Sequence, residues 1–254
     1  MRVLSTLACY SGNENIYINK VVEELKKVSD VVIFSPEKIN IDGVKTEIRD
    51  KSLAHGLVFE PRQYILDNLH NYDYFLYNED DILIPSDSLE YAISVNEKLI
   101  KKDIQYNVGF LRYELENNIP EFVDLAPYNS VHLGGNGVSD IIRFITKIDE
   151  EYYFHPWNPH SGNFILSREQ VELLHRNGKF PTTPSATYAG ILESGATGFQ
   201  DVIRKFTPTE GYKKLMVHHM SNKYVFNPVK VNCDLLDNLF NFIPEDIPNY
   251  YLNL

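Results

Sequence analysis

The feature that most constrains this chain is a buried strand that ends in three consecutive acidic residues. The segment 72–85 reads YDYFLYNEDDILIP, and its aromatic and aliphatic run at 74–77 has the composition of a buried strand. Glu79, Asp80 and Asp81 follow, before a second short apolar run. Neighbouring carboxylates at the end of a core strand repel one another and lose hydration, so they favour a bound cation. We therefore predict a site for a hard divalent ion such as Mg²⁺ or Mn²⁺; the alternative is a solvated acidic turn.

Length and composition exclude several classes of protein. The chain has 254 residues, of which 43% are hydrophobic and 23% are charged, as in ordinary globular proteins. Its net charge of -11 argues against nucleic acid or an anionic membrane as the main partner. Two cysteines, Cys9 and Cys233, give no disulfide framework and favour reduced thiols. No apolar run reaches the length of a membrane span, so we expect a soluble, cytoplasmic protein with no transmembrane segment.

The first part of the chain has the pattern of a β-α-β unit. Residues 2–10 read as a strand, residues 16–28 as an amphipathic helix, and residues 31–34 as a second buried strand. A helix of this length between two strands implies a parallel pair with a right-handed crossover. Ligands of open α/β sheets bind at the carboxyl ends of the strands. The loop after Tyr10 and the three acids should therefore share one edge of the sheet.

Turn and capping signals place the later elements. Asp87 with Glu90 predicts a capping box for a helix after Pro85, and Ser167 with Gln170 predicts a second one for a helix at 168–175. Further predicted elements are strands at 44–48 and 107–113, and a helix at 57–69 interrupted near Pro61. Together these patterns predict an α/β fold.

Two other stretches carry candidate ligand-binding side chains. The segment 152–167 reads YYFHPWNPHSGNFILS, and a rigid aromatic and polar loop between ordered elements suits the wall of a polar-ligand site. The alternative is that Trp157 fills a gap in the core and the histidines are incidental. His218 and His219 end a short apolar run, and imidazole can complete a Mn²⁺ shell that carboxylates and a diphosphate leave unfilled. Arg62, upstream of the acids, is a candidate for a phosphate contact or a surface ion pair.

With these motifs the chain resembles the nucleotide-sugar-dependent glycosyltransferases of the GT-A fold. The resemblance rests on the β-α-β unit with TLACYS at 6–11, NEDDI at 78–82, the loop at 157–161 and VHHMSN at 217–222. The acid motif of that family is usually Asp-x-Asp, and here it is a Glu-Asp-Asp variant. The resemblance implies a mixed, mostly parallel central sheet flanked by helices, in a single domain spanning 1–254. Its parts would be a nucleotide-sugar-binding half at about 1–115, an acceptor-binding and catalytic half at about 116–232, and a C-terminal extension at 233–254.

The resemblance also implies roles for individual residues. Asp81 would bind the metal directly, Mn²⁺ or Mg²⁺, with His218 or His219 as a late ligand. Glu79 and Asp80 would bind the ribose or the donor sugar, or reach the metal through water. The other implied donor-site residues are Thr6, Ala8, Tyr10, Asn13 and Arg62, and the acceptor-site residues are Trp157, His160, Ser161 and Gly162.

The function that follows is transfer of a sugar from a nucleotide-diphosphate sugar, most often UDP-linked in this fold, to a glycan or glycolipid hydroxyl. An inverting enzyme needs a carboxylate base, for which Glu193 is the first choice and Asp201 the second; a retaining enzyme needs none. The alternatives are a sugar-phosphate nucleotidyltransferase and a non-catalytic carbohydrate-binding protein. Sugar-phosphate nucleotidyltransferases carry a basic, glycine-rich loop after their first strand. Residues 9–13 of this chain read CYSGN and contain no basic residue, which disfavours that class. The segment 234–254 is amphipathic and suits packing on the domain or a homodimer contact.

Overall fold

The computed structural model describes residues 1–12, 15–125, 142–181, 190–224, 231–241 and 250–251. Its helices are α1 (Ile18–Leu25), α2 (Glu60–Asp67), α3 (Ser86–Lys102), α4 (Arg168–Arg176), α5 (Ile191–Thr197) and α6 (Cys233–Asn241). Its strands are β1 (Val3–Ala8), β2 (Asp30–Ser35), β3 (Lys45–Ile48), β4 (Tyr74–Glu79), β5 (Ile82–Leu83), β6 (Tyr106–Val108), β7 (Leu111–Glu116), β8 (Ile119–Phe122), β9 (Ile142–Ile148), β10 (Glu151–Pro156), β11 (Asn163–Ser167), β12 (Arg204–Pro208), β13 (Met216–His219) and β14 (Tyr250–Tyr251). Short 3-10 helices occupy Lys51–Phe59, Leu69–Asn71 and Tyr212–Leu215.

A five-stranded sheet with the order β11-β4-β1-β2-β3 organises the first half of the chain. Strands β1, β2, β3 and β4 are parallel, and β11 runs antiparallel to β4. The predicted β-α-β unit is present as β1, α1 and β2. This confirms the predicted α/β class with a mostly parallel central sheet flanked by helices.

The central sheet is covered on both faces because its strands are apolar on both. Along β1, Val3 and Leu7 enter one core cluster, whereas Leu4 and Ala8 enter a second cluster on the opposite face. Helix α1 packs into the first cluster through the apolar stripe that the sequence predicts, formed by Ile18, Val21, Val22 and Leu25. Strands buried on both faces leave their polar chemistry to the strand ends, which is where the acids of β4 lie.

Two further sheets complete the described fold. One has five strands in the order β14-β9-β10-β12-β6, and the other has four in the order β5-β13-β7-β8. The four-stranded sheet begins immediately after the acids, because β5 pairs with β13 through Ile82 and His219. This pairing brings the late histidine pair back to the acidic strand end.

Several local predictions are confirmed and others are wrong. The capping box of Ser167 and Gln170 is present, with both of its hydrogen bonds. The capping box at Asp87 is wrong, because α3 begins after Pro85 without a side-chain cap, and Asp87 Oδ1 accepts from the adjacent amide of Ser88 at 2.9 Å.

The predicted strand at 107–113 is in fact two strands, β6 and β7, which belong to different sheets. The chain crosses between these sheets at Gly109, where an added Cβ would lie 3.2 Å from Lys205 Cβ. Pro61 occupies the first turn of α2, which follows the 3-10 helix Lys51–Phe59, rather than breaking a longer helix. Proline is tolerated there because the first-turn amides have no helical partner.

The C-terminal elements of the described chain pack on the domain. Leu236 of α6 is fully buried in a third core cluster, which Phe240 also contacts, and β14 pairs with β9. Homodimer formation and the division at 115 and 232 stay predictions. Cys9 and Cys233 are free thiols, as predicted. No helix among the described residues is long and apolar enough to cross a membrane.

Candidate active site

The carboxyl ends of β1 and β4 form one wall of a cavity of about 550 Å³. The parallel register pairs Ala8 with Glu79, so the loop after β1 and the acids after β4 lie side by side, as predicted. The cavity is lined by Tyr10, Ser11, Asn15, Ile16, Tyr17, His55, Glu79, Asp80, Asp81, Arg112, Leu192, His219, Ser221, Lys223 and Tyr224. Five of the residues proposed from the sequence are thus at this cavity: Tyr10, Glu79, Asp80, Asp81 and His219.

Asp81 and His219 form the centre of the site. The Oδ2 atom of Asp81 lies 3.1 Å from Nε2 of His219, and the hydroxyl of Ser221 lies 2.9 Å from the same nitrogen. On the other side of the ring, Nδ1 of His219 is 2.5 Å from Oε1 of Glu114. Both side chains are largely buried, with 4% of His219 and 12% of Asp81 exposed. The imidazole therefore presents one nitrogen to the cavity and is held through the other.

The three adjacent acids have different electrostatic environments. Burial raises the pKa of Glu79 to about 8, against the opposing effect of the Arg112 charge. Burial also raises the pKa of Asp80 to about 6. Burial acts in the same direction on Asp81, but hydrogen bonding and the charge of His219 outweigh it and lower its pKa to about 2. Asp81 therefore stays ionised over the widest pH range of the three acids, which suits a direct metal ligand.

Two cationic side chains border the acids. Arg112 makes a two-pronged, buried ion pair with Asp124, at 2.6 Å and 2.8 Å, and its guanidinium lies 5.4 Å from the centre of the Tyr224 ring. Lys223 is more exposed, and its Nζ lies 3.6 Å from Oδ2 of Asp81. Carboxyl groups nevertheless outnumber these cations at the cavity.

A hard divalent cation fits the donor set. Oε1 of Glu79 and Oδ2 of Asp80 are buried at the cavity without a hydrogen-bond partner among the described residues. Such oxygens are costly to leave unpaired and are the donors that Mg²⁺ and Mn²⁺ prefer. Within the described part of the chain, no group of three or more His, Cys, Asp or Glu side chains could by itself hold a metal ion. Asp81 and His219 would therefore share the ion with oxygens of a bound ligand.

The geometry of β13 decides which of the two histidines faces the cavity, a question that the sequence left open. Successive residues of β13 point to opposite faces, so only His219 lines the cavity. His218 instead stacks on Tyr113, with ring centroids 5.0 Å apart and an interplanar angle of 8°. The metal-ligand role proposed for His218 has no support from this placement.

Arg62 lies outside the cavity, in the protein core. Its guanidinium is fully buried and donates to the carbonyls of Ser194 at 3.1 Å and Gly195 at 2.8 Å. It also lies over the aromatic rings of Phe180 and Phe199. Arg62 thus stabilises the packing of α5, and the phosphate contact proposed for it finds no support in this geometry.

The acceptor residues proposed from the loop before β11 do not line the described cavity. Gly162 lies directly behind it, since its carbonyl accepts from the amide of Glu79 at 3.2 Å. His160 and Ser161 are buried beside it, whereas Trp157 is 36% exposed. Burial, with the nearby charge of Arg112, lowers the pKa of His160 well below its ordinary value, so its ring is neutral. The loop supports the acids from behind rather than forming the cavity wall.

Lys205 of β12 holds this loop in place. Its buried Nζ donates to the carbonyl of Asn163 at 2.9 Å, the carbonyl of Pro159 at 3.2 Å and the hydroxyl of Ser161 at 3.4 Å. Burial lowers the pKa of Lys205 to about 7, whereas an unfolded chain gives lysine about 10.4. Between these values the unfolded state binds more protons, so the Lys205 contribution to stability rises with pH.

We therefore expect Lys205→Met to flatten the pH dependence of stability. We compare the free energy of unfolding of the unaltered protein with that of Lys205→Met. The unaltered protein should gain about 2 kcal/mol over the variant between pH 7 and pH 9. Urea unfolding at both pH values measures this difference. Lys101→Met, at an exposed position of α3, is the control and should leave the slope unchanged. Parallel pH profiles for Lys205→Met and the unaltered protein would contradict the prediction.

Two of the remaining donor-site residues lie in the core. Thr6 and Ala8 are buried within β1, and the Thr6 hydroxyl donates to the carbonyl of Leu76 at 2.9 Å. Asn13 lies outside the described residues.

The two candidate bases also differ in position. Glu193 lies in the first turn of α5, next to the cavity residue Leu192, and its carboxylate folds over Gly190. Asp201 is 60% exposed and pairs with Lys179 at 2.6 Å. Neither acid is among the cavity-lining residues, but Glu193 directly follows the lining residue Leu192, and this placement favours Glu193 over Asp201.

Comparisons with known proteins give only distant similarity. No family model and no curated protein matches this sequence. Among solved structures, A197 from STIV is 13% identical over 86% of this chain and 81% of that chain, with a TM-score of 0.38. Mannose-1-phosphate geranyltransferase from Thermus thermophilus is 11% identical over 86% and 74% of the two chains, with a TM-score of 0.38. A glycosyltransferase involved in the glycosylation of the major capsid of PBCV-1 is 12% identical over 94% and 98%, with a TM-score of 0.38.

Proposed function

We propose that this protein is a metal-dependent glycosyltransferase of the GT-A type. It would move a sugar from a nucleotide-diphosphate sugar, with UDP as the first candidate, to a hydroxyl of a glycan or glycolipid. The observation that carries the proposal is the convergence of Asp81 and His219, 3.1 Å apart, in a cavity at the carboxyl ends of two parallel strands. These residues come from distant parts of the sequence and form a partial shell for a divalent ion.

Each group at the cavity has a role in this proposal. Asp81 and His219 would hold a divalent cation, which would supply Lewis acidity to the departing nucleoside diphosphate. Asp80 and Glu79 offer unpartnered oxygens that accept hydrogen bonds from ribose or sugar hydroxyls. Lys223 and Arg112 place positive charge on the same cavity, where it attracts an anionic ligand.

An inverting reaction also needs a base for the acceptor hydroxyl. Glu193 is the proposed base, because α5 brings its neighbour Leu192 to the cavity wall. In the described conformation its carboxylate folds back over Gly190. The proposed role therefore requires that acceptor binding change the rotamer of this side chain so that its carboxylate faces the cavity.

A thermal-shift screen of nucleoside diphosphates, with and without Mn²⁺, tests the proposal. One nucleoside diphosphate added together with Mn²⁺ should raise the unfolding temperature by more than the nucleoside diphosphate without Mn²⁺ or Mn²⁺ without the nucleoside diphosphate. At about 100 times the dissociation constant, binding adds about 2.7 kcal/mol of stability. For a chain of this size that corresponds to a shift of roughly 5–10 °C. Absence of a Mn²⁺-dependent shift with every nucleoside diphosphate would refute the proposal.

Assays with the same protein and Mn²⁺ distinguish the two alternative functions, a nucleotidyltransferase and a carbohydrate-binding protein. A sugar-phosphate nucleotidyltransferase would release pyrophosphate from a nucleoside triphosphate in the presence of a sugar phosphate. The described loop after β1, residues 9–12, has no basic side chain that could hold a triphosphate. A carbohydrate-binding protein would be stabilised by free sugars equally well with and without Mn²⁺. Donor hydrolysis that requires Mn²⁺ is the result expected for a glycosyltransferase.

A further inference from the structure

Glu114 is a fully buried acid that the sequence did not single out. It lies on β7, which runs parallel to β13 with Tyr113 opposite His218. This pairing brings Glu114 beside His219, although the two residues are 105 positions apart in the sequence. A buried carboxylate is stable only when its oxygens are paired, so its partners show what holds it there.

The two oxygens of Glu114 have two different partners. Oε1 is 2.5 Å from Nδ1 of His219, whereas Oε2 accepts from the backbone amide of Tyr224 at 2.7 Å. The Tyr224 ring in turn stacks on the imidazole of His219, with centroids 5.6 Å apart and an interplanar angle of 18°. One carboxylate therefore fixes both His219 and the segment 221–224, which supplies Ser221, Lys223 and Tyr224 to the cavity.

We propose that Glu114 is a positioning residue that sets the tautomer of His219 and docks the segment 221–224 at the cavity. By accepting from Nδ1, it directs Nε2 toward Asp81, where the deprotonated nitrogen can bind a metal ion. Without a metal, burial opposes the charged ring, but hydrogen bonds to Asp81 and Glu114 outweigh it and raise the pKa of His219. The part of this proposal that concerns the metal rests on the proposed function. The tautomer and the docking rest on the hydrogen bonds alone.

Chemistry explains why an acid is needed at this position. A carboxylate has two acceptor oxygens, whereas a glutamine side chain of the same shape has one oxygen and one donor group. Glutamine can accept from His219 or from the Tyr224 amide, but it cannot serve both. Glu114→Gln therefore breaks one of the two contacts with little change in volume.

The His219 tautomer is the direct test, read from the ¹⁵N shifts of the ring at a pH where it is neutral. In the metal-free unaltered protein we expect the proton on Nδ1. In Glu114→Gln and Glu114→Ala we expect a substantial population with the proton on Nε2, because Asp81 is then the remaining carboxylate acceptor. Glu116→Gln, two residues further along β7, is the matched control and should keep the proton on Nδ1. An unchanged tautomer in both Glu114 variants would overturn the proposal.

Affinity for Mn²⁺ alone, followed by the electron paramagnetic resonance of the free ion, gives a second readout. Glu114→Gln should weaken binding by about 10–100-fold, the usual effect of losing a partner of a metal-bound histidine. Glu116→Gln, on the same strand but outside the cavity lining, is the control and should leave the affinity unchanged. Equal weakening by Glu116→Gln and Glu114→Gln would overturn the positioning role of Glu114.

The two readouts keep the two proposals distinguishable. If the unaltered protein binds no Mn²⁺, with or without nucleoside diphosphates, the proposed function fails, and the ring spectrum still decides the role of Glu114. If Glu114→Gln changes the tautomer without changing the affinity for Mn²⁺, the positioning role is upheld and His219 is removed from the metal shell. Circular dichroism confirms that each variant is folded before either measurement is compared.

Discussion

Replacing Asp81 with asparagine is expected to lower the rate of sugar transfer by about three orders of magnitude, which corresponds to about 4 kcal/mol in the barrier. Asparagine keeps the shape of the side chain but removes the charge that would bind the cation and that faces Nε2 of His219 at 3.1 Å. Steady-state transfer with the nucleotide sugar identified by the thermal screen measures the loss. The Mn²⁺-dependent part of the thermal shift should disappear with it.

The control for this variant is an acid of the same type away from the cavity. Asp67, at the end of α2, is exposed and accepts a hydrogen bond from the Gln63 side chain at 2.7 Å. Asp67→Asn should leave both transfer and Mn²⁺ binding unchanged. Full activity in a folded Asp81→Asn protein would remove Asp81 from the metal role. Loss of activity without loss of the Mn²⁺-dependent shift would assign Asp81 to the chemistry rather than to metal binding.

The part of the site that the sequence predicts well is the part built by strand ends. A run of apolar residues at 74–77 followed by acids specifies a buried strand and its terminus, and the β-α-β pattern specifies which other strand end lies beside it. The structure places Tyr10, Glu79, Asp80 and Asp81 at one cavity for this reason. Local patterns and the parallel topology were sufficient to predict that these four side chains lie together.

The part that could not be predicted depends on pairings between distant strands. Which histidine faces the acids is decided by the register of β13 against β5, where His219 lies opposite Ile82. A shift of one residue would exchange the two faces. Glu114 carries no local signal, because it is one acid in an alternating strand and its role arises only from the pairing of β7 with β13.

Arg62 shows a different limit of sequence interpretation. An arginine before an acidic motif suits a phosphate contact, but here the guanidinium is enclosed by aromatic rings and helix carbonyls. Its hydrogen bonds to Ser194 and Gly195 join residues 132 and 133 positions apart, so no window of the sequence contains both partners. Buried arginines that satisfy carbonyl groups stabilise packing and are not available to a ligand.

Substitution of Gly162 is expected to give the largest loss of stability of the changes considered. Gly162 has a left-handed backbone, with φ of +67°, behind the Glu79 carboxylate. An added Cβ would overlap Cδ1 of Ile82 and would lie 3.0 Å from Oε2 of Glu79. The left-handed conformation alone costs alanine about 1–2 kcal/mol, and overpacking of a tight core adds about 1–3 kcal/mol. Gly162→Ala should therefore lower the free energy of unfolding by about 3 kcal/mol and also reduce activity by displacing Glu79.

Gly178 provides a control with the same backbone conformation. It also has φ of +67°, but no atom lies within 4 Å of the position that a Cβ would take. Gly178→Ala should therefore show the conformational cost alone, about 1 kcal/mol by urea unfolding. Ile82→Val removes the Cδ1 atom that Gly162→Ala meets. It should cost about 1 kcal/mol in the unaltered protein and stabilise the Gly162→Ala background. Equal costs for the two glycine substitutions, with no rescue by Ile82→Val, would show that the contact behind Glu79 is looser than the structure indicates.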